Sequence, residues 1–250
     1  MYSKNILEKL HKTTVIELNF KYLGNELDLF AQAKNWKKYW SKKVKPHINA
    51  KVLEIGAGIG QNHTFLHCSK VSSWTCVEPD SSLYQKINIK KEQKNSLINR
   101  CIFGTLEDVP LEKFDCILYI DVLEHIENDQ KEILDCIPYL NEGGKIITLS
   151  PSYNLLFSNH DRSVGHFRRY NTKSIKALQS RELQLTEIIY LDSMGLWLNL
   201  ANRFILKSSL PTKKQIFIWD KFVIPISTIM DQLLFYKIGK SVLGIYELQK

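Results

Sequence analysis

The stretch Glu54-Ile55-Gly56-Ala57-Gly58-Ile59-Gly60 constrains this 250-residue chain more than any other. It follows an apolar run, residues 51–55, and leads into a helix-like segment, so it reads as a strand–turn–helix junction. Glycines at alternate positions let the backbone turn tightly and bring its N–H groups near a ligand at the next helix's N-terminus. Further apolar runs at 73–78, 100–103, 115–120 and 145–149 alternate with helix-like segments near 61–69, 81–95 and 128–140. Strands separated by helices predict an α/β fold with a parallel sheet of βαβ units.

The flanks differ from this core. Residues 1–50 read as a helical region, with Leu23, Leu27, Phe30 and Ala31 at helical spacing and Pro46 closing it. The core spans 51–192, including an irregular stretch at 152–171, a helix-like 172–181 and a strand at 183–191. Residues 193–238 carry bulky apolar side chains at helical spacing, Phe204 among them, and read as an amphipathic insertion. The last strand, 241–248, falls within 239–250.

Composition narrows the class. A charged fraction of 24% and a hydrophobic fraction of 44% are ordinary for a globular protein and exclude a disordered or collagen-like chain. No apolar run approaches the roughly 18 residues of a spanning helix, and the start, Met1-Tyr2-Ser3-Lys4-Asn5, has no signal-peptide pattern. Cys68, Cys76, Cys101, Cys116 and Cys136 form no CxxC pair, and their odd number argues against a disulfide framework. A reduced, soluble, cytoplasmic protein without a metal centre is expected. With 34 basic and 26 acidic residues the net charge is +8. The lysines are spread along the chain, as on solvated helix faces, so nucleic acid is a disfavoured partner.

The glycine loop departs from the dinucleotide fingerprint GxGxxG, because Gln61 stands at its sixth position, and no GxxxxGK[ST] phosphate loop exists. An acid ahead of the first glycine, Glu54, instead suits a cationic ligand end such as the ammonium of S-adenosylmethionine. Glu78, 18 residues beyond Gly60 at the end of the second strand, can accept both hydrogens of a ribose diol.

ExGxGxG followed by an acidic second strand end resembles the class I S-adenosylmethionine-dependent methyltransferases. The resemblance covers about 50–150 and continues in Thr105-Leu106-Glu107-Asp108 after the third strand and Asp121-Val122-Leu123-Glu124-His125 after the fourth. It implies a Rossmann-like seven-stranded methyltransferase sheet with helices on both faces. It implies cofactor contacts from Glu54, Gly56, Ala57, Gly58, Gly60, Glu78, Pro79, Thr105, Leu106, Glu107, Asp121 and Val122. Asn35-Trp36-Lys37-Lys38-Tyr39-Trp40 and the segment from Asp161 to Tyr170 resemble a bacterial subgroup associated with envelope polysaccharide and glycolipid assembly.

The acceptor side is expected in the loops after strands four and five, beyond the carboxyl ends of the strands. An alcohol acceptor needs a base, for which His125, Asp161 and His166 compete, with Tyr170 facing the acceptor. Arg168 and Arg169 either hold an acceptor phosphate or carboxylate or pin the loop through acidic partners. Trp36, Tyr39 and Trp40 share one helix face, as a core stripe or as a lid against the substrate. The insertion, with Lys207, Lys213, Lys214, Lys221 and Lys237, reads as a cap, a membrane contact or a homodimer face. The expected function is methylation of oxygen on a sugar, lipid-linked glycan or other small molecule, by a monomer or homodimer. A non-catalytic cofactor-binding module in a membrane-associated assembly complex, or an RNA methyltransferase, is the alternative.

Overall fold

The computed structural model describes residues 26–93, 96–205 and 212–249. Leu23 and Lys207 lie outside the described residues, as does the side chain of Phe204.

Seven strands form one sheet: β1 (Lys51–Ile55), β2 (Ser73–Glu78), β3 (Arg100–Phe103), β4 (Phe114–Ile120), β5 (Leu140–Pro151), β6 (Leu183–Leu191) and β7 (Ser241–Leu248). Their order is β3-β2-β1-β4-β5-β7-β6. The first five are mutually parallel; β7 is antiparallel to both β5 and β6. The order reverses between β1 and β4, which opens a crevice where the glycine loop and the loop after β4 leave side by side.

The near-continuous apolar strands are those of a sheet covered on both faces. Alternate residues point to opposite sides: Val52, Cys76, Leu118 and Ile147 join one buried cluster, while Leu53, Val77, Ile117 and Ile146 join the other. The first face is covered by α1 (Glu26–Phe30), α2 (Lys34–Val44), α3 (Asn62–Leu66) and α4 (Ser81–Lys91). The second is covered by α5 (Asp129–Asp135) and α7 (Thr172–Ala177), which contribute Ile133 and Ile175. A short α6 (Asn159–Ser163) lies in the loop after β5.

Several boundaries correct the sequence reading. The helix expected over 128–140 ends at Asp135, because Pro138 supports only a 3-10 turn, Ile137–Tyr139. β5 begins at Leu140 rather than 145 and runs through Gly143 and Gly144. The insertion is several helices: α8 (Ser193–Ile205), α9 (Lys213–Ile218), a π-helical turn (Trp219–Val223) and α10 (Ile224–Leu233).

Buried carboxylates fasten this insertion to the core. Asp231 accepts from the backbone N–H groups of Asp192 at 2.7 Å and Ser193 at 2.9 Å and from the Tyr39 hydroxyl at 2.6 Å. Asp220 accepts from the N–H of Trp36 at 2.8 Å, and Asp192 accepts from Trp219 Nε1 and Ser227 Oγ. Among the described residues no helix is long and apolar enough to cross a membrane. All five cysteines are free thiols.

Candidate functional site

The glycine loop closes the β1 end of the crevice. Gly56, Gly58 and Gly60 all adopt positive φ, near +60°. At Gly56 the constraint is double, since a Cβ there would also lie 2.6 Å from Val122 Cγ2 on the loop after β4. The missing side chain thus lets two strand-end loops touch. Gly58 turns its N–H to Glu78 Oε2 at 2.7 Å, and the N–H of Asp80 reaches Glu78 Oε1 at 3.0 Å. Burial pushes the Glu78 carboxyl up to about 7, against the pull of these two N–H groups.

Glu54 is 1% exposed beneath the loop. Its oxygens accept from Asn62 Nδ2 at 2.8 Å and Trp74 Nε1 at 2.9 Å, which fixes the carboxylate, and burial raises its pKa. Asp121 opens to solvent at the end of β4 with φ of 55°, a left-handed conformation that Asp tolerates better than most residues. Around the crevice Glu54, Glu78 and Asp121 therefore form an acidic corner. Lys37 of α2 reaches into it: burial lowers its pKa, while Asp121 and then Glu54 oppose that shift. In the sequence Lys37 stands only within the segment 35–40, with no role of its own.

This donor set discriminates between ligands. Carboxylates around a glycine turn repel a pyrophosphate and attract hydroxyl donors and cationic groups. A ribose diol and an ammonium- and sulfonium-bearing chain fit; a dinucleotide fits poorly. Among the other expected contacts, Pro79 follows Glu78 half-buried, and Ala57 is buried, its N–H bonded to the Val77 carbonyl. Thr105 caps a 3-10 turn through a reciprocal bond with Asp108, which leaves Leu106 buried and Glu107 exposed. The N–H of Gly104 bonds the Glu78 carbonyl, so the β3 loop borders the β2 end.

The loops after β4 and β5 are zipped together by the Phe167 N–H on the Glu124 carbonyl at 2.7 Å. Within the β5 loop, Asp161 is fully buried and serves as a hub. Its Oδ1 lies 2.9 Å from His166 Nδ1 and 2.8 Å from Arg169 Nε, and its Oδ2 lies 3.0 Å from Arg169 Nη2. Burial works to raise the Asp161 carboxyl, but the hydrogen bonds from His166 and Arg169 outweigh it and hold the group well below the usual range. His166 and His125 meet edge to face with ring centroids 4.5 Å apart. Burial, then the neighbouring His166, push His125 down to about 4, so its imidazole is neutral at pH 7. One ligand atom from each of Glu124, His125 and His166 lies within 4.8 Å of the other two.

These contacts correct several expectations. Tyr170 does not face an acceptor: it is fully buried, its hydroxyl 2.6 Å from Asp129 Oδ2 and 3.1 Å from the Leu123 carbonyl. Asp161 is likewise closed off by its partners. Arg169 gives Nε and Nη2 to Asp161 while its Nη1 is buried, and Arg168 pairs with Asp129 at 2.7 Å, so both arginines pin the loop rather than hold an acceptor. Trp36, Tyr39 and Trp40 lie in the core, with Trp36 against Trp219. Of the four expected acceptor-side groups only His125 and His166 are not fully buried; both are half-buried.

Residues 53–148 match a family model described as a methyltransferase domain. The chain shares its fold with a Haloferax volcanii protein solved in complex with the Trm112 methyltransferase activator (TM-score 0.63, 12% identity, covering 90% of this chain and 95% of that one). It is also similar to the N-methyltransferase NodS from Bradyrhizobium japonicum in complex with S-adenosyl-L-homocysteine (TM-score 0.55, 12% identity, 88% and 89% covered). A third similar structure is an S-adenosylmethionine-dependent methyltransferase from Clostridium acetobutylicum (TM-score 0.54, 14% identity, 99% and 99% covered). No match is found among curated proteins.

Proposed function

We propose that this class I S-adenosylmethionine-dependent methyltransferase places its methyl group on a hydroxyl oxygen of a sugar or lipid-linked glycan, in cytoplasmic assembly of an envelope polysaccharide or glycolipid. The observation that carries the oxygen assignment is the Asp161–His166 pair. A buried carboxylate on Nδ1 fixes the imidazole tautomer and leaves Nε2 as the ring's proton acceptor. An alcohol needs such a base, whereas an amine nucleophile already carries a free lone pair when neutral.

S-adenosylmethionine supplies a methyl group on a sulfonium, open to in-line attack. In this reading Glu78 accepts the ribose hydroxyls, the loop from Gly56 to Gly60 cradles the amino-acid end, and Glu54 and Asp121 supply the negative field toward it. Thr105, Leu106 and Glu107 border the adenine. His166 takes the proton of the acceptor hydroxyl, and Asp161 steadies the resulting imidazolium. His125, neutral beside it, orients the ring without competing as a cation.

Tritiated S-adenosylmethionine, offered with sugars, glycolipids and amines, tests the assignment. Label in sugar methyl ethers, lost in His166→Ala, is expected. Label confined to amines, or transfer indifferent to His166, would overturn it.

A further inference from the structure

The insertion turns its chemistry inside out. On α10 the inward positions are Ile224, Ser227 and Asp231, while Ile226, Ile229 and Leu233 face out, each more than half exposed. Phe222 extends this outer row one turn earlier, and Trp197 on α8 and Phe235 after α10 are also more than half exposed. A helix facing only water carries its polar groups outward; this one carries Ser227 and Asp231 inward and Ile226, Ile229 and Leu233 outward.

Charge follows the same division. Residues 193–238 contain six basic side chains and two carboxylates, Asp220 and Asp231. Both carboxylates are buried and bonded to the core. Lys213, Lys214, Lys221 and Lys237 are exposed, so the described solvent-facing side chains of the insertion are apolar, polar or cationic, with no exposed carboxylate among them. Lys221 lies among the aromatics, its Nζ 5.3 Å from the Phe217 ring and 5.5 Å from Phe222, as a lysine stem does when its charge sits at an apolar boundary.

The face also has a defined place. β6 runs parallel to β5, since both are antiparallel to β7, so the chain leaves β6 for α8 at the sheet edge where the glycine loop and the β4 and β5 loops lie. We propose that this outer face of the insertion docks on an anionic lipid bilayer, lying in its interface and holding the acceptor edge of the sheet against it. Anionic headgroups complement the lysines, and the acyl boundary takes the isoleucines and aromatics. A second copy of the chain fits less well, because a twofold contact sets the same lysine-bearing face against itself with no exposed carboxylate to pair.

Docking and methyl transfer are separable, so the test reads lipid binding directly. The full chain is sedimented with vesicles of phosphatidylcholine alone and of phosphatidylcholine with phosphatidylglycerol. Binding to the anionic vesicles only, weakened by salt, is expected. Ile226→Glu with Ile229→Glu should lower bound protein at least tenfold, and Lys213→Glu with Lys214→Glu should lower it severalfold. Thermal stabilisation by S-adenosylhomocysteine should survive in both variants, which reports that they are folded. No binding to anionic vesicles, or binding unchanged in the isoleucine variant, would overturn the proposal. So would a dimer in solution that this variant converts to monomer, since a second copy would then be the occupant.

Discussion

Asp161 Oδ1 lies 2.9 Å from His166 Nδ1, and the same carboxylate holds Arg169 in a two-point contact. One buried acid therefore both orients the proposed base and anchors the loop that carries it. The two roles separate by mutation. Asp161→Asn leaves a buried guanidinium without its charge partner and should destabilise the fold by about 3–5 kcal/mol. His166→Ala keeps that ion pair. It should lower kcat by ~10²–10⁴ with cofactor affinity unchanged within a factor of about two, the size of a lost general base. Thermal melts and steady-state kinetics on the two variants make the comparison.

Glu78 sets a pH dependence for cofactor binding. Its folded pKa of about 7 lies above the ordinary 4.5, so the ligand-free protein holds a proton there that the unfolded chain has lost. That contribution to stability is complete below about 4.5 and disappears as pH rises through about 7. Ribose hydroxyls donate to the ionised carboxylate, so affinity moves the other way. Between pH 8 and pH 6 the affinity for S-adenosylhomocysteine should fall by about tenfold, and Glu78→Gln should bind more weakly with a shallower profile, the remainder set by Asp121, whose carboxyl burial pushes up to about 6. Thermal-shift titrations across this range are the check.

Gly56→Ala should combine two costs. A non-glycine residue at φ of +63° pays about 1–2 kcal/mol, and the Cβ overlap with Val122 adds about 1–3 kcal/mol. Adding Val122→Ala should restore the second part and leave the first. Denaturant unfolding of the single and double variants measures the split.

The fastening of the insertion is tested at Tyr39. Its hydroxyl donates to Asp231 at 2.6 Å, and burial, with that bond, raises its pKa far above the ordinary phenol. Tyr39→Phe should cost roughly 1.5–3 kcal/mol, the range for a hydrogen bond to a charged group, while Asp231 keeps its two backbone donors. Unfolding free energies of wild type and variant decide it, and a change under 0.5 kcal/mol would mean that this contact is not what secures α2 to α10.

Local patterns made much of this molecule legible. The strands at 73–78, 183–191 and 241–248 stand where alternation and apolar runs put them, and the glycine loop after 51–55 turns as its spacing requires. What failed depended on partners distant in sequence. Tyr170 looks like any loop tyrosine until Asp129, 41 residues away, takes its hydroxyl. Arg168 and Arg169 could hold an acceptor or pin the loop, and the decision for pinning rests on Asp129, far along the chain, for Arg168 and on the folded-back loop that seats Arg169 on Asp161. The Trp36 stripe could be core or lid, and only Asp220 and Trp219 from the insertion decide for core. Lys37 escaped notice because its value lies in facing Glu54 and Asp121 across the crevice, a juxtaposition no local window contains.

The most direct measurement is calorimetric titration of the purified chain with S-adenosylmethionine at pH 8, beside Glu78→Ala and an NAD control. Saturable one-to-one binding of S-adenosylmethionine is expected, lost or strongly weakened in the variant, with no binding of NAD. A folded protein that takes up no S-adenosylmethionine, or binds it equally well without Glu78, would contradict a cofactor site built on the glycine loop and Glu78.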